Sequence, residues 1–308
     1  MTPAVEVERL GKTFGTLAAL SDVSFAVAPG ERFGVIGPDG AGKSTLFRLL
    51  ATLLRPTAGT ARVLGLDPVR DLWKLRPRLG YMPGRFSLYP DLSVDENLHF
   101  FASVFGTRMA DQRAQIDPVY RQLEPFRNRR ASALSGGMKQ KLALCCALIH
   151  TPELLLLDEP TTGVDAVSRR EFWDLLDTLK AGGLTVIVST PYMDEAMRCD
   201  RVALVQQGRV LAVDTPAAIA AGFGRPLYAI EAADRYGALL ALRAAPETHS
   251  VFPFGAALHY ADTRTSLPDA AVETHVRGVL ARAGITGASV TPTAPTIEDA
   301  FMAKADAR

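Results

Sequence analysis

Gly37-Pro-Asp-Gly-Ala-Gly-Lys-Ser44 lies between an apolar run, Arg32–Ile36, and a stretch with Leu46, Leu49, Leu50, Leu53 and Leu54 at spacings of three and four. This is the pattern GxxxxGK[ST] set between a predicted strand and a predicted helix, Ser44–Leu54, that stops before Pro56. The chemistry explains the spacing. Glycines let backbone N–H groups wrap round a polyphosphate, because no Cβ blocks the approach or the positive-φ turns. A helix that starts at Lys43 aims its unpaired N–H groups and positive dipole end at the same anion. Lys43 supplies a full positive charge for the β- and γ-phosphates, and Ser44 supplies a hydroxyl for Mg²⁺. The candidate nucleotide-binding run is therefore Gly37, Pro38, Asp39, Gly40, Ala41, Gly42, Lys43, Ser44 and Thr45. Asp39 places a carboxylate among groups that attract an anion, so its side chain is expected to point away. The motif predicts binding of a nucleoside triphosphate.

Downstream, Leu154-Leu-Leu-Leu-Asp158-Glu159 is an apolar strand that ends in two carboxylates. Asp158 is placed to hold Mg²⁺, and Glu159 to orient and polarise an attacking water. A second short apolar run, Leu184–Val188, follows a helical stretch near Arg170–Leu179. Continuous apolar runs bounded by polar residues are how strands buried on both faces of a parallel sheet read. Arg201–Val205 and Arg209–Val213, joined by Gln206-Gln-Gly208, read as a closing hairpin. Upstream, Val5–Leu10 and Val23–Val27 read as strands, and residues 80–150 as mostly helical with breaks around Tyr81–Pro90 and at the Ser135-Gly-Gly137 turn. Composition shifts near Ala220. Beyond it, Leu227–Glu231 and Leu258–Ala261 read as strands and Asp269–Ala283 as an amphipathic helix, which makes a small α+β domain. The expected domains are 1–220 and 221–308.

The chain has 308 residues, 48% of them hydrophobic and 22% charged, which excludes a disordered or collagen-like chain. Its formal net charge is +1, so there is no electrostatic case for nucleic acid or for an acidic membrane surface as partner. The three cysteines, Cys145, Cys146 and Cys199, have no metal-ligand spacing and read as buried thiols. The N-terminus does not resemble a signal peptide, and no apolar run approaches the ~18 residues of a membrane span. These features predict a cytoplasmic chain that reaches a membrane only through partners.

The segment Leu134-Ser-Gly-Gly-Met-Lys-Gln140, between the phosphate loop and the Asp158-Glu159 strand, discriminates among phosphate-loop proteins. With those two motifs in that order, residues 3–218 resemble the ATP-binding cassette (ABC) superfamily. The resemblance implies ATP with Mg²⁺ as ligands. It also implies a P-loop NTPase with a RecA-like core, an antiparallel β-subdomain and an α-helical signature subdomain over about 80–150. Ser135, Gly136, Gly137 and Gln140 would then face the γ-phosphate of a nucleotide held by a second cassette. Ser135 offers a hydroxyl and the glycines bare N–H groups at a helix start. Phe14 matches the family's adenine-stacking aromatic, and Val164-Asp165 its D-loop across the dimer interface.

Two positions depart from the family pattern. The Gln expected after Leu79-Gly-Tyr-Met-Pro83 is Gly84, and no Gln occurs between Lys43 and Asp111. The switch histidine expected after Val186–Thr190 is Pro191, and all five histidines lie elsewhere. Gly and Pro offer no side-chain donor, so the cassette reads as degenerate, with the Thr190 or Tyr192 hydroxyl in a position to compensate in part. Tyr81–Tyr89, Ser189–Glu195 and the closing Pro295–Phe301 resemble drug-exporter ATPases, the first two the N-terminal cassette of multidrug exporters with two cassettes per chain. The resemblance implies an ATPase that drives a multidrug-type exporter through transmembrane permease subunits, peripheral on the inner face of the cell membrane and paired with a second cassette. Phe86, Leu88 and Tyr89 would contact the permease or pack on the helical subdomain. A mainly non-hydrolytic cassette with an active partner is the alternative. Cassettes of translation, which resemble two cassettes in one chain, are disfavoured, as are those of DNA repair, whose long coiled coil between phosphate loop and signature does not fit the short Lys43–Leu134 spacing.

Overall fold

A computed structural model describes residues 2–306. The chain divides into two compact units, Met1–Pro216 and Ala217–Arg308. The division falls inside the short helix Pro216–Ala221, a few residues before the composition shift near Ala220.

The first unit contains two sheets. β1 (Val5–Phe14), β2 (Leu17–Val27) and β4 (Ala58–Val63) form an antiparallel sheet of order β2-β1-β4. β3 (Arg32–Ile36), β5 (Leu79–Met82), β6 (Leu154–Asp158), β7 (Thr185–Thr190), β8 (Arg201–Gln206) and β9 (Arg209–Asp214) form the second, of order β5-β6-β7-β3-β8-β9. All neighbours in it are parallel except β8 and β9, the expected hairpin. Every residue of β3, β6 and β7 is buried, which is why Leu154–Leu157 and Leu184–Val188 read as continuous apolar runs. Their core is shared with β1, β2 and the helix Lys43–Leu50 through Leu46, Phe47, Leu49 and Leu50.

That helix is shorter than its leucine spacing predicts. It stops at Leu50, Thr52 takes a left-handed φ of 65°, and Leu53 is half exposed. Leu79–Met82 form edge strand β5 on β6, the strand that the family resemblance implies at Leu79–Pro83, so the helical subdomain expected over about 80–150 starts later. Helical structure proper begins at Val94, where Ser93 and Glu96 form a reciprocal capping box, and runs through Arg113–Tyr120 to Gly136–Leu148.

The second unit runs β10 (Leu227–Glu231), helix Arg235–Arg243, β11 (Thr248–Phe254), β12 (Ala257–Asp262), helix Asp269–Arg282, β13 (Ser289–Thr293) and helix Ile297–Asp306. The sheet is antiparallel throughout, in the order β11-β12-β10-β13. This βαββαβ path is the ferredoxin-like arrangement. Tyr228, Ile230, Leu258 and Tyr260 of its central strands pack against Leu242, Val272, Val276 and Leu280 of the first two helices.

Candidate functional site

The loop after β3 departs for the helix Lys43–Leu50 by two close approaches. A Cβ at Gly37 would lie 2.0 Å from the Val205 carbonyl oxygen of β8. Gly42 caps the helix at φ 100° and lies against Ala19 of β2, so a side chain there meets both strain and collision. The loop is thus clamped between the two sheets.

Lys43 is buried to 3% exposure inside this loop. Its Nζ donates to the carbonyls of Gly37 at 2.8 Å and Pro38 at 2.9 Å, and pairs with Glu159 Oε1 at 3.0 Å. Asp39 does not turn away from the lysine. Its side chain is solvent-exposed, yet Oδ1 sits 4.0 Å from Lys43 Nζ, because a cation four residues on attracts it across the loop turn. Ser44 Oγ donates to Asp158 Oδ1 at 3.1 Å, and the Ser189 hydroxyl donates to the same oxygen at 2.7 Å. Burial pushes the Asp158 carboxyl above its ordinary range; the two hydroxyl donors oppose the shift and the neighbouring Glu159 charge adds to it.

Glu159 follows the end of β6 at φ 50°, a left-handed conformation that costs a non-glycine residue about 1–3 kcal/mol. The strain is held by its N–H, which donates to the Ser189 carbonyl at 3.1 Å and the Ser189 hydroxyl at 2.9 Å. Ser189 therefore positions both carboxylates. Nothing in the sequence singled it out beyond its place at the end of an apolar run.

A cleft of about 490 Å³ is lined by Phe14, Gly40, Gly42, Lys43, Ser44, Thr45 and Glu159, together with Leu17, Gln207 and Gly208. Phe14 is half exposed at its mouth, with Lys12 Nζ 5.0 Å from the ring centroid. An aromatic face, a cradle of loop backbone, a lysine and a carboxylate are thus gathered in one place. Gln207 and Leu17 went unnoticed in the sequence because strand pairing alone brings them there.

Ser135, Gly136, Gly137 and Gln140 do not line this cleft. Ser135 is exposed and caps the helix Gly136–Leu148, its Oγ accepting from the Met138 N–H at 3.3 Å. Lys141 of that helix pairs with Glu171 at 2.6 Å on the helix Ala166–Ala181, which Asp165 caps by accepting from the Val167 and Ser168 N–H groups. The capped serine and Gly136 are left open to solvent.

Both departures sit beside the Asp158-Glu159 strand end. A Cβ at Gly84 would lie 3.0 Å from the Asp158 carbonyl oxygen, so the loop after β5 lies directly on that strand. Before Pro191, the buried Thr190 donates its hydroxyl to Glu195 and does not compensate for a missing donor. Tyr192 faces the Arg169 guanidinium at 4.8 Å. Of the apolar trio in the loop, Phe86 and Tyr89 are exposed, while Leu88 is buried and lines an apolar groove.

The family model for the ABC transporter matches residues 20–162. "Probable multidrug ABC transporter ATP-binding protein YbhF" of Escherichia coli K12 is 47% identical over 217 residues, covering 69% of this chain and 37% of that protein. "Nod factor export ATP-binding protein I" of Paraburkholderia xenovorans is 41% identical over 221 residues, covering 71% of this chain and 73% of the relative. The chain therefore spans little more than a third of the first relative's length. Among solved structures, an ATP-binding subunit of an ABC transporter matches at TM-score 0.65 with 30% identity, over 72% of this chain and 94% of that one. A dimeric ATP-binding cassette in a post-hydrolysis state bound to ADP and Pi matches at TM-score 0.62 with 26% identity, over 68% and 98%. The fold is the P-loop NTPase fold of these cassettes, and the chain belongs to the ABC transporter ATP-binding family.

Proposed function

We propose that this chain is the ATP-binding and ATP-hydrolysing subunit of a membrane exporter of the drug-efflux type, acting through separate permease subunits and paired with a second cassette. The observation that carries this reading is the cleft in which Phe14, the loop Gly40–Thr45, Lys43 and Glu159 converge. Phe14 gives the adenine a π face. Backbone N–H groups of the loop and Lys43 take the phosphates. Ser44 and Asp158 present hard oxygens 3.1 Å apart, a donor set that suits Mg²⁺. Among the described residues no cluster of three or more His, Cys, Asp or Glu forms a protein cage, which fits an ion held jointly by protein and nucleotide. When bound, Mg²⁺ supplies charge to the β- and γ-phosphate oxygens.

Lys43 pairs with Glu159 at 3.0 Å, so a terminal phosphate competes with Glu159 for the lysine. Release leaves the Glu159 carboxylate beside that phosphate, where it accepts a proton from the attacking water. Ser135, Gly136, Gly137 and Gln140 would complete the nucleotide site of the partner cassette.

Among the described residues no helix is long and apolar enough to cross a membrane. The exporter reading puts the chain on the inner face of the cell membrane through its permeases. A groove of about 470 Å³ between β5 and the helical segment, lined by Tyr81, Pro83, Leu88, Phe101, Val104 and Phe105, is the surface we assign to them. The names of the two relatives, a multidrug transporter subunit and an export protein, support the exporter class. The second unit is proposed to be the C-terminal domain of a drug-exporter ATPase.

Calorimetry of the full chain with Mg-ATP tests the reading. Lys43→Ala should weaken binding by ~2 kcal/mol or more, the scale of a lost charge-assisted contact. Unchanged affinity would overturn the phosphate-loop assignment. A second reading, a cassette that binds ATP while its partner does most of the hydrolysis, is favoured by one observation. Gly84 and Pro191 offer no donors, and the Thr190 hydroxyl is committed to Glu195.

A further inference from the structure

Glu195 closes the stretch Ser189–Glu195 and has no part in the phosphate loop, the Asp158-Glu159 pair or the Leu134–Gln140 segment. It is only 3% exposed, on the four-residue helix Met193–Ala196 that follows β7. Both oxygens are occupied. Oε1 accepts from the Thr161 hydroxyl at 2.8 Å and lies 3.8 Å from Arg169 Nε, and Oε2 accepts from the Thr190 hydroxyl. The three partners come from three segments. Thr161 belongs to the turn after Glu159, Thr190 ends β7, and Arg169 lies on the helix that Asp165 caps.

Thr190 and the turn that holds Thr161 are each tied to residues of the nucleotide site, and Arg169 braces the short helix itself. The Thr190 carbonyl accepts from the Gly37 N–H at 3.3 Å, the first amide of the phosphate loop. The Thr190 hydroxyl also accepts from the Tyr192 N–H at 3.1 Å, which fixes the chain on either side of Pro191. The turn holding Thr161 closes back on Glu159, whose carbonyl accepts from the Thr162 N–H at 3.3 Å. Arg169 binds the same short helix again through Asp194 Oδ2 at 3.5 Å and faces the Tyr192 ring. A buried carboxylate is costly unless each oxygen is satisfied, so this one holds its partners tightly or destabilises the fold.

We infer that Glu195 is a positioning residue for ATP turnover: it clamps the Thr190–Tyr192 segment to the turn after Glu159, and so sets the spacing between the phosphate loop and Glu159. The inference rests on the reading that this cleft turns over ATP. Where the segment carries proline in place of a donor side chain, its contribution is backbone placement, and Glu195 is what sets that placement. Small misplacements of reacting groups are expensive, about a hundredfold in rate for ~1 Å.

The test compares Glu195→Ala with Glu195→Gln in the full chain. The glutamine keeps both positions, accepting from Thr161 through its oxygen and donating to the Thr190 hydroxyl through its nitrogen. Glu195→Ala should lower kcat for ATP by ten- to a hundredfold with KM changed less than about threefold, and Glu195→Gln should stay within about threefold of the unaltered chain. Amide hydrogen exchange read without nucleotide gives a second measure. The Gly37 and Tyr192 amides should lose protection in Glu195→Ala and keep it in Glu195→Gln, with the β3 and β6 amides unchanged in both. Equal kcat in Glu195→Ala and the unaltered chain overturns the inference, as does unchanged exchange at Gly37 and Tyr192. If the unaltered chain fails to turn over ATP, the reading of the cleft fails. The exchange data then still decide whether the clamp exists, and a positioning role in turnover is refuted with that reading.

Discussion

Replacing Glu159 by Gln should tighten ATP binding even as it slows turnover. Lys43 Nζ lies 3.0 Å from Glu159 Oε1, with the lysine 3% and the glutamate 21% exposed. At that separation and an effective dielectric of ~20, the attraction is about 5 kcal/mol. Desolvation of the two charges offsets most of it, which leaves a net coupling on the order of 1–2 kcal/mol. A terminal phosphate has to overcome that coupling before it gains the lysine, and it also meets the carboxylate as a like charge. Glu159→Gln removes both terms and preserves the shape, and Lys43 keeps the Gly37 and Pro38 carbonyls at 2.8 and 2.9 Å. The Kd for Mg-ATP should therefore fall about tenfold, the equivalent of ~1.4 kcal/mol. ADP, which lacks the phosphate that faces Glu159, should gain much less. Turnover should drop by about 10²-fold or more, since the proton acceptor for water is lost. Calorimetry with ATP and ADP and a phosphate-release assay on the same protein measure all three. An ATP affinity that is unchanged or weaker in Glu159→Gln would refute the competition.

Ser135→Arg, which blocks the open serine by bulk and charge, should reduce the ATPase of the assembled transporter more than Glu159→Gln does if the partner cassette carries most turnover; a greater loss from Glu159→Gln would sink that second reading. Removal of one transition-state donor typically costs about 10²–10³ in rate, which sets the scale for the Ser135 loss. Asp158→Asn should raise the melting temperature of the nucleotide-free chain at pH 7 by about 2–4 °C per kcal/mol of relieved burial. The sign follows from the raised carboxyl: the folded state holds the proton more tightly than the unfolded one. Stability is therefore lost as pH climbs from the ordinary carboxylate range through the raised value, and the gain from Asn should vanish as pH drops toward 4; calorimetric scans at several pH values check this. Phe86→Glu should release the chain from membranes that carry its permeases while leaving nucleotide binding intact. Retention in the membrane fraction would count against a permease contact by the loop that carries Phe86.

The parts of the site that were legible in the sequence are those whose chemistry dictates residue types at fixed spacing. Gly37–Ser44 could be placed between a strand and a helix start by its own pattern, and Leu154–Glu159 at a strand end because β6 is buried throughout and Leu154–Leu157 reads as a continuous apolar run. Edge strands lack that signal. β11 and β13 lie at the two edges of the second unit's sheet, and each carries a proline, Pro253 and Pro292, that breaks the strand pattern while costing an edge little. The end of the helix at Leu50 was hidden because Leu53 and Leu54 continue the helical spacing, and only the backbone turn at Thr52 interrupts it. Pairings across long stretches of chain were not legible. Lys43 meets Glu159, and Glu195 meets Thr161, only because β3, β6 and β7 lie side by side. In the sequence, Glu195 is one of two adjacent acids on a short polar segment, where a solvated pair is the ordinary expectation.

The two departures from the family pattern gain a common physical account from their places. Gly84 lies so close to the Asp158 carbonyl that a Cβ there would need the strand end or the loop to give way. Pro191 follows a threonine that is tied to the phosphate loop through its carbonyl and to Glu195 through its hydroxyl. Neither position has been left slack by the loss of a polar side chain. One is filled by close approach of backbone, the other by a buried carboxylate and its three partners. A strained Glu159, a buried Asp158 and a fully satisfied Glu195 each cost stability unless the surroundings hold them. Their gathering round one cleft suits a site that binds nucleotide in a defined geometry. With no side-chain donor at Gly84 or Pro191, we expect slower chemistry from a site whose backbone is nonetheless fixed, and the turnover rate of the unaltered chain measures it.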